Sequence, residues 1–362
     1  MRTFIHLSLG AVAATALAAG TVAGPAHAVD FSGKRIEWII PYPTGGGSDR
    51  WARFFAPRLS KHLEGQPVVA VKNMPGGNST TGTNYFARRA KPDGLMIIGT
   101  SGSTQFPYLL GDRRVQYEYK DWIVVMATPT GGVAYISSKY GVKSAADLKT
   151  MKGKLVKFGS QGATSLDLVP ALAWDILGLN SQVVFGFKGR GPVRLAFERG
   201  ETTIDYQTTS AYLKNVMPLV KAGKAVPLMS WGTIDENGKL VRDPTFPELP
   251  TLIEAYRIVH GKDPKGPAWN AWVAFFTAGF AAQKMIFLPK GTPKDIVDTY
   301  RKAISSMLKE PGFEQAMEKA LGKYPQAEGK KSETLAKLAT DVSPKSKEWV
   351  IGWLKRRFNV TP

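Results

Sequence analysis

Two turns rich in glycine and hydroxyl side chains carry the chemistry that this sequence offers. Each follows a short apolar segment typical of a buried strand, at residues 35–40 and 155–158, and each precedes a helical pattern. We name residues 41–49 the first loop and residues 159–165 the second loop. A turn from a strand into a helix presents unpaired backbone N–H groups and the positive end of the helix, and both attract anions. The pair of turns therefore predicts a site that grips an anion from two sides.

The candidate binding groups are backbone N–H groups and neutral polar side chains, which hold carboxylate oxygens without reacting with them. The candidate ligand-binding residues are Tyr42, Thr44, Gly45, Gly46, Gly47, Ser48 and Asp49 in the first loop, Ser160, Gln161, Gly162, Ala163, Thr164 and Ser165 in the second loop, and Ser101 and Thr209 in two further turns. Asp49 is expected to cap the helix, because its charge would repel an anionic ligand. Glycines at one such turn are explained equally well by the turn itself, and the presence of two turns favours a binding site.

Few residues are available for catalysis or metal binding. The chain has no Cys, and only His62 and His260 lie beyond the N-terminal leader. A His/Cys metal site is therefore not expected. Neither a phosphate-binding loop motif nor a dinucleotide-binding fingerprint occurs, so no cofactor is predicted. An exported α/β hydrolase that pairs Ser101 or Ser160 with one of the two histidines remains the alternative, and a binding protein without catalysis is preferred.

The N-terminus has the pattern of a secretory signal peptide. Arg2 precedes an apolar stretch, and Ala26-His27-Ala28 matches a cleavage site, so residues 1–28 are predicted to be removed. Removing 28 of the 362 residues leaves 334, a length that favours two domains. An exported chain without Cys suits the periplasm. The apolar segment 269–282 is too short to span a bilayer and is expected in the core.

The formal charge of +19 is consistent with an anionic ligand, although a basic solvated surface explains most of it. Lys and Arg are spread along the chain rather than gathered in one stripe, so nucleic acid is not an expected partner. Helix and strand patterns alternate, which predicts an α/β fold with mainly parallel sheets flanked by helices. We expect a monomer.

Several motifs together resemble the Bug-type periplasmic receptors of tripartite tricarboxylate transporters, along most of the predicted mature chain. The resemblance rests on the two loops and on further segments in the same order, namely Pro92-Asp93-Gly94, Gly99-Thr100-Ser101-Gly102, Phe187-Lys188-Gly189, Pro247-Glu248-Leu249-Pro250-Thr251 and Pro289-Lys290-Gly291-Thr292-Pro293.

The resemblance implies a two-domain Venus flytrap, type II-like, with residues 29–128 plus 232–362 as the first domain and 129–231 as the second. It also implies that a small di-, tri- or aromatic carboxylate is captured between the domains and delivered to membrane permease subunits. A receptor that feeds a signalling partner instead stays open.

Three departures from the family pattern bear on the ligand. Asp167 stands where a His is usual, Thr209 stands where an acidic residue is common, and the segment 231–291 is longer than usual. The loss of the acidic residue at Thr209 disfavours a ligand bearing an ammonium group. Trp269 or Trp272 could reach the cleft and favour an aromatic carboxylate, although core positions are the commoner explanation for such tryptophans. The sequence alone leaves the identity of the carboxylate open.

Overall fold

The computed structural model describes residues 28–235 and 239–362. Apart from Ala28, the predicted signal peptide lies outside the described residues. Within the described residues, no helix combines the length and the apolar character that crossing a membrane requires.

The strands form two large sheets and one small hairpin. They are β1 (Arg35–Ile40), β2 (Val68–Asn73), β3 (Met96–Gly99), β4 (Ile123–Thr128), β5 (Gly132–Ser137), β6 (Leu155–Gly159), β7 (Asn180–Val184), β8 (Ile204–Thr208), β9 (Ala225–Ser230), β10 (Thr233–Ile234), β11 (Leu240–Val241), β12 (Lys284–Leu288) and β13 (Ala327–Glu328).

Helices cover both sheets. They are α1 (Gly47–His62), α2 (Thr80–Arg89), α3 (Gly102–Leu110), α4 (Leu168–Ile176), α5 (Arg190–Arg199), α6 (Thr209–Ala211), α7 (Met217–Lys221), α8 (Leu252–His260), α9 (Pro267–Phe276), α10 (Lys294–Leu308), α11 (Phe313–Leu321), α12 (Gly329–Leu338) and α13 (Pro344–Phe358). Short 3₁₀ segments occupy Gly77–Ser79, Tyr119–Asp121, Ser138–Tyr140 and Ala145–Met151, and π-helical turns occupy Tyr212–Val216 and Thr277–Ala281.

The two large sheets are mixed. The first has the order β13-β4-β12-β3-β1-β2 and the second has the order β7-β6-β8-β5-β9. The expected parallel pairing holds within β2-β1-β3 and β7-β6-β8, whereas β12 and β5 are antiparallel to both of their neighbours. The prediction of mainly parallel sheets misses this pairing because β5 and β12 enter their sheets from other parts of the fold, without the crossover helix that parallel neighbours need. The α/β class with two sheets flanked by helices is confirmed.

The buried side chains of each helix show which of the two sheets it packs against. In α1, Trp51, Phe55 and Leu59 recur at helical spacing and are buried in the core of the first sheet. That side also holds α10, α11 and α12. The core of the second sheet instead includes buried residues from α4, α8, α9 and α13.

The packing of the helices on the two sheets can be compared with the expected domain boundaries. Residues 29–128 and 129–231 supply the strands of the two sheets up to β9, as the expected division requires. The expected division also assigned all of 232–362 to the first domain. Because α8, α9 and α13 share the core of the second sheet, we propose that they move with the second domain. We call the two resulting bodies the first and second units.

Candidate functional site

The first loop leads from β1 into α1 and is held in place by its own carboxylate. Asp49 is buried in the first turn of α1, where it accepts a hydrogen bond from the Gly45 N–H at 2.9 Å. The Nε of Arg53 donates to the same carboxylate at 2.8 Å. Gly45 has a φ of +79°, a conformation that glycine adopts at little cost. Asp49 thus stabilises the first loop. A structural role of this kind was expected for a carboxylate beside an anionic ligand.

The start of α1 leaves backbone donors open toward the cleft. Gly46 precedes the helix and provides no side-chain cap. The N–H groups of the first helical turn have no partner within a helix, so they are available to a ligand. Gly46, Gly47 and Ser48 all line the cleft between the two units. Partial positive charge from the end of a 16-residue helix therefore points to the cleft.

The second loop uses its donors internally. The Asp167 carboxylate accepts from the Gln161 N–H at 2.7 Å, and Ser160 Oγ accepts from the Gly162 N–H at 3.2 Å. Ser165 Oγ in turn accepts from the Asp167 N–H at 3.2 Å. The helix α4 begins at Leu168, three residues after the start that the sequence suggested. The chain's own Asp167 thus occupies the anion position that this loop was expected to offer to a ligand.

A small cleft lies where the two units meet. It is lined by Tyr42, Pro43, Gly46, Gly47, Ser48, Ser101, Ser103, Gln161, Leu166, Arg190, Tyr206, Thr208, Gln283 and Lys284. The cavity measures about 40 Å³, which is room for roughly three water molecules. A cleft of this size fits a carboxylate group, and a longer ligand requires it to widen.

Part of the predicted site lines this cleft. Of the candidate residues, Tyr42, Gly46, Gly47, Ser48, Ser101 and Gln161 form its wall. Thr44 and Gly45 are exposed, and Thr209 is buried against Tyr324, with 2.6 Å between their hydroxyl oxygens. The remaining candidates do not line this cleft. Gly162, Ala163 and Thr164 line a separate cavity beside Arg113 and Arg114, and Asp49, Ser160 and Ser165 are buried and form hydrogen bonds within the loops.

The hydroxyl groups beneath the first loop form one network. Ser101 caps α3, and its Oγ donates to the Tyr42 hydroxyl at 2.8 Å. The Tyr42 hydroxyl lies 2.5 Å from Thr104 Oγ1. Burial raises the pKa of Tyr42, so this hydroxyl stays protonated and can act as a hydrogen-bond donor in the cleft.

Arg190 is a cleft residue that the sequence analysis missed. Its guanidinium pairs with Asp205 and lies 3.4 Å from Asp167, and both carboxylates are buried. It also donates to the Gly159 carbonyl at 2.9 Å and lies over the Tyr206 ring. Two carboxylates therefore balance this cation before any ligand arrives. The signal that could have found it is an Arg directly after Gly189 at the start of a helix, near a buried Asp in a neighbouring strand.

Tyr206 joins this network to the second loop. Its hydroxyl donates to Asp167 Oδ1 at 2.7 Å. Burial, followed by the charge of Asp167, raises the pKa of Tyr206, which keeps the hydroxyl protonated and donating. The sequence analysis named Tyr206 only as a neutral hydrogen-bonding residue and did not place it in the wall.

Gln283 and Lys284 are also cleft residues that the sequence analysis missed. They stand at the start of β12, directly after the apolar segment 269–282, and both side chains are buried. The sequence signal was a polar pair that ended an otherwise apolar run. Trp272, by contrast, is buried in the core, where it stacks on Phe276, and the partly buried Trp269 stacks on Trp272. Neither tryptophan lines the cleft.

Two glycines allow the units to touch. A Cβ atom on Gly47 would lie 2.1 Å from Thr208 Oγ1 across the cleft, and one on Gly189 would lie 2.3 Å from the Pro43 side chain. Any larger side chain at either position would hold the units apart. At Gly46, in contrast, the nearest heavy atom would be 3.7 Å away.

Neither histidine stands beside a candidate serine. The His62 Nε2 lies 3.7 Å from Glu310, and the exposed His260 ring packs on Tyr256. Ser101 donates to Tyr42 instead. Among the described residues, no group of His, Asp and Glu side chains is arranged to hold a metal ion. The geometry therefore lends no support to the hydrolase alternative.

Comparison with known proteins agrees with the fold. The family described as "Tripartite tricarboxylate transporter family receptor" matches residues 51–352. A relative from Pseudomonas sp. (strain P51), the "UPF0065 protein in tcbD-tcbE intergenic region", is 26% identical over 323 residues and covers 86% of this chain and 84% of its own length.

Two solved structures from Rhodopseudomonas palustris share the fold. The protein Rpa4515 with adipate superposes with a TM-score of 0.70 at 19% identity, covering 92% of this chain and all of its own. MatC with bound malate superposes with a TM-score of 0.66 at 19% identity, covering 88% of this chain and all of its own. These likenesses identify a periplasmic binding protein fold. The chain belongs to the receptor family of tripartite tricarboxylate transporters, and the resemblance noted from its motifs is confirmed.

Proposed function

We propose that this protein is a periplasmic receptor that captures a small carboxylate in the cleft and delivers it to the membrane subunits of a tripartite transporter. The observation that carries the proposal is the uncapped start of α1, whose open N–H groups line a cleft closed by the other unit. The two relatives of known structure that hold adipate and malate support a carboxylate as the ligand class.

Binding is proposed without chemical change. The open N–H groups at the start of α1 face the cleft, and the neutral side chains of Tyr42, Ser101 and Tyr206 also line it. The hydroxyl protons of Ser101 and Tyr206 already go to Tyr42 and Asp167, so the backbone N–H groups are the main donors. Each hydrogen bond to a charged group contributes about 1.5–3 kcal/mol net. Several such bonds supply the roughly 8 kcal/mol of a micromolar complex, after the costs of ordering and closure.

Capture is proposed to couple to closure of the two units. The near contact of Gly47 with Thr208 belongs to a closed form, and a ligand bound to both walls would favour that form. We further propose a monomer that is exported and cleaved after Ala28. Nothing in the described residues favours a signalling role over transport.

The test uses the mature protein, refolded to remove carried-over ligand, with a panel of mono-, di- and tricarboxylates, aromatic carboxylates, amino acids and phosphate. At least one carboxylate should raise the melting temperature, bind by calorimetry and reduce the radius of gyration in X-ray scattering, with the ligand recovered unchanged. No binding by any carboxylate would reject the proposed ligand class. Binding without compaction would reject the closure step alone.

A further inference from the structure

Lys284 is a buried cation on the wall of the cleft. Its side chain is 2% exposed, and it begins β12 at the point where the chain returns to the first sheet. In the structure, its ammonium donates to the side-chain oxygen of Gln283. The amide nitrogen of Gln283 is buried and has no hydrogen-bond partner within the described residues. The side-chain oxygen of Gln105, whose amide nitrogen donates to the adjacent Ala282 carbonyl, is likewise buried without a partner among the described residues. The polar groups at this end of the cleft are therefore incompletely hydrogen-bonded.

The surroundings of Lys284 do not balance its charge. Across the sheet, its register partner on β4 is Thr128, whose hydroxyl bonds with Trp51 and Gln326. The carboxylates beside the cleft already pair with arginines, Asp49 with Arg53 and both Asp167 and Asp205 with Arg190. Burial lowers the pKa of Lys284 to about 7, as expected of an ammonium without a nearby carboxylate.

A purely structural role does not explain this arrangement. A lysine that stabilises a core normally meets carbonyl or carboxylate oxygens, because an ammonium has three donors and burial without acceptors is costly. Here one neutral amide oxygen is its hydrogen-bond partner, and the residue faces a cavity. Burial of a cation beside a ligand cleft is compensated when the ligand supplies the missing negative charge.

We propose that Lys284 binds a second acidic group of the ligand, so that this receptor selects diacids over monocarboxylates. This inference rests on the proposed function. One carboxylate occupies the open N–H groups at the start of α1, and the other meets Lys284 and the free amide of Gln283. An aliphatic ligand with acidic groups at both ends is longer than the cavity of about 40 Å³, so the cleft widens to admit it.

The experiment compares aliphatic dicarboxylates of four to six carbons with their monomethyl esters, which keep the chain and remove one charge. Affinities are measured by calorimetry on the wild-type protein and on Lys284→Met. The matched control is Lys290→Met, because Lys290 is 73% exposed and pairs with Asp121 at the surface. Refolded protein, free of carried-over ligand, is used throughout.

We expect the wild-type protein to bind the best diacid about 10- to 150-fold more tightly than its monoester, the range for one hydrogen-bonded charge contact. Lys284→Met should lose most of this preference while binding the monoester within about threefold of wild type, and Lys290→Met should keep it. A variant that retains the preference would overturn the inference.

The wild-type protein tests the inference independently of the variant's folding. Equal affinity for diacid and monoester would overturn the inference and leave the proposed function standing. Failure to bind any carboxylate would overturn the proposed function, and the inference with it.

Discussion

Replacing Lys284 by Met is expected to stabilise the ligand-free protein. The change removes a buried charge and keeps an unbranched side chain of similar length, which can fill the same space. Lysines are ordinarily treated as surface residues whose removal changes little. Here the buried charge of Lys284 lowers the stability of the ligand-free protein, and the second acidic group of the ligand compensates for it.

The size of the expected gain in stability follows from the lowered pKa of Lys284. Burial lowers the pKa of Lys284 from 10.5 to about 7, and each tenfold change in proton affinity is worth about 1.4 kcal/mol. Below pH 7 the buried ammonium therefore costs the folded state up to about 5 kcal/mol. Replacing buried charges by apolar side chains commonly gains about 1–4 kcal/mol, so a gain of about 2–4 kcal/mol is expected.

The pH dependence distinguishes charge from packing. Because the folded-state pKa of Lys284 is lowered, the unfolded protein binds more protons between pH 7 and pH 10.5, and wild-type stability rises with pH in that window. The advantage of Lys284→Met should therefore be largest below pH 7 and shrink by about 1.4 kcal/mol per pH unit above it, until it disappears.

Urea unfolding of both proteins at pH 6.5 and pH 9, without ligand, measures the effect. Lys290→Met serves as the surface control and should change the free energy of unfolding by less than about 1 kcal/mol at both pH values. An equal gain for Lys284→Met at the two pH values would show that better packing is the cause. A loss of stability at both would refute the reasoning about the buried charge.

Three further predictions concern closure, the arginine network and export. Gly47→Ala should weaken carboxylate binding and prevent compaction in X-ray scattering, whereas Gly46→Ala should do neither, because only the first meets the opposite wall. Compaction of Gly47→Ala on binding would contradict this. Arg190→Met should lower the free energy of unfolding by about 3–5 kcal/mol, because it leaves two buried carboxylates unpaired; a loss below about 1 kcal/mol in urea unfolding would contradict it. The intact mass of the exported protein should correspond to a chain that begins at Val29, and a mass that retains residues 1–28 would contradict the cleavage site.

The first loop could be predicted because local sequence determines it. A strand followed by glycines and an N-terminal helical turn gives open N–H groups wherever the rest of the chain lies. The expected capping role of Asp49 is only partly right, because Gly46 precedes α1 without a side-chain cap and Asp49, inside the first turn, binds the Gly45 N–H of the loop instead.

The second loop and the charged groups could not be predicted in the same way. Whether a loop offers its N–H groups depends on which side chain reaches them first, and here Asp167 does. Arg190 meets Asp205 only because β6 and β8 lie side by side and α5 begins beside them. In the sequence, Lys284 is a polar residue at the end of an apolar segment. Its burial depends on residues that are distant in the sequence, so it could not be predicted locally.

The path of the chain determines whether either unit can be produced as a separate fragment. With α8, α9 and α13 in the second unit, as proposed, the chain passes between the two units three times, at residues 129–131, 282–283 and 339–343. A fragment of residues 129–231 would lack α9 and α13, from which Trp272 donates to the Val169 carbonyl and Trp353 to Asp175 on α4. The second unit therefore cannot be excised as one contiguous piece. A single proteolytic cut at any one crossing would leave the two halves tethered by the other two.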